Sequence, residues 1–305
     1  MPSHPVNHRF SISTGALALA VWCLGAIVFF RPALWSGFDV IAGNNADTRF
    51  IVFLHEHLFQ WLRGNAEFLS PKFFYPQPNT LGYSDAFLLN LVPYATFRLL
   101  GFDPFLSLQL WIVAGSALCF WSSLLVLVRY LNIRIPIALV AALLITFPNN
   151  LFFKAVHAQF YALYYVPALV LIFLRGLEDF PRMTARLLAH VAICALLYAL
   201  LFSTSFYTAW LFGLTIMIAG AAAALMSPRQ FAEVLSANRR PVSTIVGVGA
   251  VAFAIGLVPL AAIYAPILGL FEGRTFREYI SYAPFPVDII NVSVEIGRAS
   301  CRERV

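Results

Sequence analysis

Long apolar stretches separated by short polar connections dominate the chain, at 13–30, 106–128, 135–150, 158–174, 187–204, 206–226 and 242–270. A helix crossing the hydrocarbon core of a bilayer needs about 20 apolar residues, within a range of about 17 to 25. None of the seven stretches holds Asp, Glu, Lys or Arg in its apolar middle. The pattern therefore predicts about seven membrane spans. The last carries Pro259 and Pro266 and is expected to be kinked or tilted. The small-residue run AGAAAALM at 219–226 is read as a helix-packing surface. The run from Ala86 to Phe97, bounded by Asp85 and Arg98 and containing Asn90 and Pro93, is too short to span and is read as re-entrant or interfacial.

Two polar segments lie between the first and second spans. In DTRFIVFLHEHLFQWLRG, starting at Asp47, the residues Phe50, Ile51, Leu54, Leu58, Trp61 and Leu62 fall on one helical face. Arg49, Glu56, Gln60 and Arg63 fall on the other, which predicts an amphipathic helix lying at the membrane interface. Asn44, Asn45 or Asp47 can cap it. Asp47 lines up with the apolar face, at the positive end of the helix dipole. The following SPKFFYPQPNTLGYSD, with Pro71, Pro76, Pro78 and Gly82, reads as an ordered, turn-rich loop. Its Phe73, Phe74, Tyr75 and Tyr83 form either an aromatic belt at the interface or a wall for a sugar or lipid carrier.

Charge supplies the orientation. If 86–97 does not cross, Arg9, Arg129, Arg134, Arg175, Arg182, Arg186, Arg229, Arg239 and Arg240 share one side, the cytoplasmic one by the positive-inside rule. The first loop, 31 to about 105, then faces outward. Of the twelve acidic residues before position 295, Asp39, Asp47, Glu56, Glu67, Asp85, Asp103, Glu272, Glu278 and Asp288 lie on that outer side. Chemistry that uses carboxylates is expected there. The apolar run Gly15–Phe30 ends in FFRPALW rather than at a small-residue cleavage site, so it is read as an uncleaved first span.

Composition agrees. The chain has 305 residues, 61% hydrophobic and 11% charged, with a mean hydropathy of +0.80, against about 25% charged in soluble domains. The formal net charge is +6, but the cations are scattered through loops and no cluster resembles a nucleic-acid site. Cys23, Cys119 and Cys194 sit in apolar runs and Cys301 in the tail, without a CxxC, so neither a disulfide framework nor a zinc site is expected. His55 and His57, two apart on a helix, do not share a face. His190, inside a span, is read as a neutral, hydrogen-bonded histidine.

A first span, an early Asp in the outer loop, amphipathic helices, FFYPQPNTLGYSD, a short helix ending in RLLGFDP, and His157-Ala158-Gln159 at the outer end of a span resemble the GT-C superfamily of membrane glycosyltransferases. The resemblance covers roughly residues 13 to 290. It implies an all-α, polytopic transmembrane bundle with a long outer first loop carrying interfacial helices. It also implies an inverting transfer of a sugar from a polyprenyl-phosphate carrier to a glycan, lipid or protein acceptor, in a plasma membrane such as the inner membrane of a bacterium. In that superfamily the usual catalytic residue is an Asp near the start of the first outer loop, which here is Asp47, as the base that takes the acceptor's proton. Asp85 is a second candidate. Arg49, Lys154, Arg274 and Arg277 are the outer cations for the phosphate. His157 would position substrate or bind metal, and Gln159, Tyr75, Tyr83 and Glu278 complete the substrate contacts. A divalent metal ion is left open as a cofactor. Two other classes remain: a transporter or flippase of lipid-linked sugars, and a non-catalytic assembly protein of the envelope.

The last residues, EIGRASCRERV, place Arg298, Arg302 and Arg304 within seven positions. They resemble translated sequencing adapter. Residues 295–305 are read as an artefact, and 1–294 as an incomplete GT-C-like transmembrane domain.

Overall fold

The computed structural model describes residues 12–41, 47–153, 157–270 and 275–281. Lys154, Arg274, Asn44, Asn45, Cys301 and the segment 295–305 lie outside the described residues. Every described element is a helix. The chain forms two compact units, Met1–Pro266 and Ile267–Val305, which are described separately.

In the first unit, α1 (Ile12–Phe29) is followed by the short α2 (Arg31–Trp35), then α3 (Asp47–Leu62), α4 (Leu88–Leu99) and α5 (Pro104–Leu125). Next come α6 (Ile135–Thr146), α7 (Asn149–Phe153), a 3-10 turn Ala158–Tyr165 that runs into α8 (Val166–Leu177), and α9 (Ala185–Thr204). α10 (Phe206–Met226), α11 (Pro228–Ala237) and α12 (Arg239–Tyr264) complete it. Local signals explain several starts. Asp103 caps α5 by accepting from the Phe105 and Leu106 amides, with Pro104 at the first helical position, where its missing N–H costs nothing. Thr184 caps α9 through the Leu187 amide at 3.0 Å.

Among the described residues six helices are long and apolar enough to cross a membrane: α1, α5 with its continuation to Tyr130, 158–177, α9, α10 and α12. The stretch expected as a span at 135–150 is instead the 12-residue α6, which ends before Pro148. Contacts nevertheless define its course. Arg129 and Tyr130, at the end of α5, meet Glu178 at 3.0 and 2.6 Å. At the other end of the bundle, Phe147 and Phe152 pack on Phe29 with ring centroids 5.3 and 5.6 Å apart. The segment 131–152 therefore passes from one end of the bundle to the other.

α4 does not traverse the bundle. Near its start the Leu89 amide donates to Thr204 Oγ1, at the end of α9, and near its finish Arg98 pairs with Glu56 of α3. Both neighbours lie at the end of the bundle where α5 begins.

α9 and α12 run in the same direction and pack closely. In lipid there is little hydrophobic drive between helices, so small residues that admit close approach carry much of the association. Gly256 is such a residue. A Cβ at this position would stand 2.6 Å from Ala199 Cβ and 2.8 Å from the Leu196 carbonyl oxygen, and a backbone oxygen cannot swing away. Gly256→Ala is expected to cost about 1–3 kcal/mol through overpacking. Thermal unfolding in a mild detergent checks this, and an unchanged midpoint would refute the close approach. By contrast, the small-residue run 219–226 is almost wholly exposed, and Gly220 has nothing within 4 Å. The expected packing surface is not used by any described helix.

In the second unit α13 (Phe276–Ser281) is opened by a capping box. Glu278 accepts from the Thr275 amide at 2.7 Å and its hydroxyl at 3.1 Å, and the Glu278 amide donates back to Thr275 Oγ1 at 3.3 Å. Glu278 thus has a structural task at the start of its own helix, and Arg277 beside it is exposed.

Candidate functional site

α3 organises the loop end of the bundle. Its covered positions are Thr48, Ile51, Val52, Leu54, His55, His57, Leu58 and Phe59, while Trp61 and Leu62 are exposed, against the expected apolar stripe. The helix is covered on two sides rather than one. On one side the His55 ring packs on Phe87, tilted by 34° with centroids 4.6 Å apart. On another, His57 Nε2 lies 3.1 Å from the Phe68 carbonyl.

His55 anchors a buried chain of hydrogen bonds. Its Nδ1 lies 2.8 Å from the Ile51 carbonyl oxygen; a carbonyl only accepts, so Nδ1 carries the proton. Nε2 then accepts from Asn90 Nδ2 at 3.2 Å, and Asn90 Oδ1 accepts from Tyr165 Oη at 3.1 Å. Burial lowers His55 to about 4, against the opposing pull of the Ile51 carbonyl. Between pH 6.5 and 4 the unfolded chain binds a proton that the folded one refuses, so stability falls as pH drops through that window. The loss amounts to roughly 3 kcal/mol at about 1.4 kcal/mol per pH unit. Unfolding midpoints across pH 4 to 7 should show this slope, and His55→Gln should flatten it. A slope of equal size in that variant would remove the assignment.

The next residue, Glu56, is held by α4. Its carboxylate accepts from Arg98 Nε at 2.7 Å and Nη2 at 3.1 Å, from Tyr94 Oη at 2.9 Å and from Gln60 Nε2 at 2.8 Å. Burial alone would raise the Glu56 carboxyl, but the bonds from Arg98, Gln60 and Tyr94 outweigh it and hold the group below its ordinary value.

The first turn of α3 brings Asp47 to His157, with Oδ2 and Nδ1 4.0 Å apart. The two side chains are 52% and 40% exposed. Asp47 is thus at the rim; of the two directions that its helical phase allows, the membrane and the protein body, it is not enclosed in the body. Their chain neighbours Thr48 and Ala158 line a cavity of about 250 Å³. Its other walls include Phe29, Phe30, Ile41, Leu108, Ile112 and Tyr161, and none of its described lining residues is charged. Asp47 and His157 are both metal-capable, but among the described residues no group of three His, Cys, Asp or Glu forms a metal site.

The remaining candidates are dispersed. Asp85 does not start α4. Its Oδ1 accepts from the Phe206 amide at 3.2 Å, at the first residue of α10, and burial raises its carboxyl above the usual range despite that bond. Arg49 is exposed on α3, and Gln159 is half-buried on the turn after His157. Tyr83 ends an aromatic row that runs from Phe50 through Phe73 and Phe74, with centroids 4.9, 5.1 and 6.0 Å apart. Tyr75, 81% exposed, borders a separate polar groove with Gln60, Asn65, Glu67, Lys72 and Gln77, towards the far end of α3. The structure therefore unites Asp47 with His157 and leaves Asp85 and Tyr75 elsewhere. Sequence reading missed Gln109, a buried amide in the cavity wall; a lone amide in the apolar run of α5 is its signal.

Compared with known proteins, the chain matches no family model, no curated protein and no solved structure.

Proposed function

We propose that this membrane protein is a glycosyltransferase of the GT-C kind, which moves a sugar from a polyprenyl-phosphate carrier to a hydroxyl acceptor at the end of the bundle that holds α3 and α4. The observation that carries this reading is the Asp47–His157 pair, 4.0 Å apart at the rim of an uncharged cavity. A lipid-borne donor requires a site at the membrane surface, and a carboxylate there can take the proton of the attacking hydroxyl. In the step, the acceptor oxygen bonds to the anomeric carbon as the bond from that carbon to the phosphate oxygen breaks. The configuration inverts, Asp47 takes the acceptor's proton, and polyprenyl phosphate leaves with the bonding pair. His157, 4.0 Å from Asp47, stands beside the carboxylate to position it or the substrate. Arg49, two residues on in the same turn of the helix, is the nearest cation in sequence for the phosphate.

The same reading includes the finer topology: seven crossings, with 131–152 counted as one despite the short α6, the N-terminus cytoplasmic, and α3 and α4 on the outer side of a plasma membrane. Arg129, Arg175, Arg182 and Arg186 on the opposite end support that orientation.

The test is transfer of labelled sugar from a polyprenyl-phosphate donor by the full chain in proteoliposomes, read as label lost from the carrier. Consumption of the donor supports the enzyme. Movement of the intact carrier between leaflets without consumption would replace the proposal with a transporter, and inertness in both assays would leave an assembly role.

A further inference from the structure

The polar groove at the far end of α3 has a volume of about 650 Å³, within the range of about 300–1,000 Å³ that holds small-molecule ligands. α3 supplies one wall through Phe53, Glu56 and Gln60, and the loop that follows supplies the other through Glu67, Lys72, Tyr75 and Gln77. That loop is closed at its base. The Leu81 amide donates to the Leu69 carbonyl at 3.1 Å, the Thr80 hydroxyl to the Pro71 carbonyl at 2.6 Å, and the Asn79 amide to Ser70 Oγ at 3.2 Å. Pro71, Pro76 and Pro78 restrict it further. A wall fixed in advance loses little freedom when a ligand binds.

The amides are fixed as well. Asn65 Nδ2 donates to Gln60 Oε1 at 2.9 Å, and Gln60 Nε2 donates to Glu56 Oε1 at 2.8 Å. The exposed Asn65 keeps a second N–H and its own Oδ1 for a ligand. Glu67, Lys72 and Gln77 are exposed, and their side chains make no hydrogen bond or ion pair to any described residue. The charges balance, since Arg98 neutralises Glu56 and Lys72 offsets Glu67, so the groove favours neither an anion nor a cation. Donors and acceptors stand side by side, which suits hydroxyl groups, because each hydroxyl is both. The two walls also present bare rings, with Phe53 41% and Tyr75 81% exposed. A ring that serves only as an interfacial anchor sits among apolar neighbours, whereas Tyr75 shares its groove with Lys72, Gln77 and Asn65. Hydrogen-bonding edges beside uncovered flat faces match a ligand with hydroxyl edges and apolar C–H faces, which is the make-up of a sugar ring.

We propose that this groove binds a neutral oligosaccharide, with the C–H face of a sugar ring on Tyr75 and its hydroxyls on Asn65, Glu67 and Gln77. The choice of a saccharide among hydroxyl-rich ligands rests on the sugar-transfer reading, in which it is the acceptor glycan; the binding itself needs no turnover. Phe53, the lining residue of α3 nearest in sequence to Asp47, stands six positions from it and on a different helical face, so the groove holds the glycan beside the reaction and takes no part in it.

The experiment is saturation-transfer NMR on the full chain in nanodiscs, without donor. The probes are maltotetraose, mannotetraose, galactotetraose, arabinotetraose and N-acetylchitotetraose. Saturable transfer to at least one of them is expected, with an affinity lowered roughly three- to tenfold in Tyr75→Ala, the worth of one ring face. Tyr75 is exposed, so the thermal midpoint of that variant should stay in place. Silence of all five probes would overturn the proposal, as would an affinity unchanged in Tyr75→Ala, or tighter binding of the charged tetragalacturonic acid. Tyr75-dependent binding in a chain that consumes no polyprenyl-phosphate donor would remove the transferase and leave the groove. Donor consumption by a chain that binds none of the probes would remove the groove and leave the transferase.

Discussion

Asp47→Asn is expected to lower sugar transfer by roughly 10²- to 10⁴-fold, the range associated with losing a positioned general base, with little change in stability. The separation of the two effects follows from the geometry. Asp47 occupies the first position of α3 with its side chain 52% exposed. Asn retains a side-chain oxygen that serves a helix start as well as Asp does, so the unfolding midpoint should move by no more than about 0.5 kcal/mol. The substitution removes the negative charge and the basicity, and little else. The measurement is the initial rate of donor consumption in proteoliposomes at matched protein, beside a thermal unfolding curve. A transfer rate within a factor of two of the native chain would eliminate Asp47 as the base. His157→Ala provides the complementary case, with a smaller loss because it removes a partner of the carboxylate and not the carboxylate.

The second large effect concerns stability. Arg98→Met should destabilise the chain by roughly 2–4 kcal/mol, because it leaves the Glu56 carboxylate largely covered without its cation. Arg98 contributes two hydrogen bonds to Glu56 and a third to the Phe102 carbonyl, and its guanidinium lies 5.2 Å from the Phe59 ring. Met keeps the apolar stem, so the loss reports on the charge. Glu56→Met in the same background should recover most of it, since replacing both members of a covered pair with apolar groups is often nearly neutral. The coupling between the two positions is read from the double-mutant cycle. Additive losses would mean that the pair contributes nothing as a pair. Because Glu56 titrates below its ordinary value in the folded chain, its contribution is complete above about pH 4.5 and fades as pH falls through the folded value.

The spans were legible because a bilayer demands length and apolarity, and both can be counted along the chain. α6 departed from the count because Pro148 follows it closely, and a helix rarely continues into the residue before a proline. The covered face of α3 was misjudged for a different reason. A periodic stripe assumes one partner, whereas α3 is packed by α4 and by the loop around Phe68, so His55 and His57 are both buried although they point to different sides. Asp47 was singled out correctly as a residue at the helix start, but its distance from His157 spans more than a hundred positions of chain and no local pattern encodes it. The candidates Asp85 and Glu278 were chosen as outer carboxylates; each is bonded to backbone amides near a helix start, a role that residue type and position alone do not distinguish from catalysis.

The grip on Glu56 has a mechanical side. Nine residues separate it from Asp47 on one uninterrupted helix, which is about 14 Å at 1.5 Å per residue. α3 is then a lever pivoted where α4 holds it, with the Asp47 carboxylate at its tip and the buried Thr48, Ile51 and Val52 seating that end. A swing of only about 5° at the pivot would carry that tip roughly 1 Å, a misplacement that can cost about 100-fold in a positioned reaction. Substitutions at Arg98 or Tyr94, remote from the cavity, would thus act as aiming errors at Asp47.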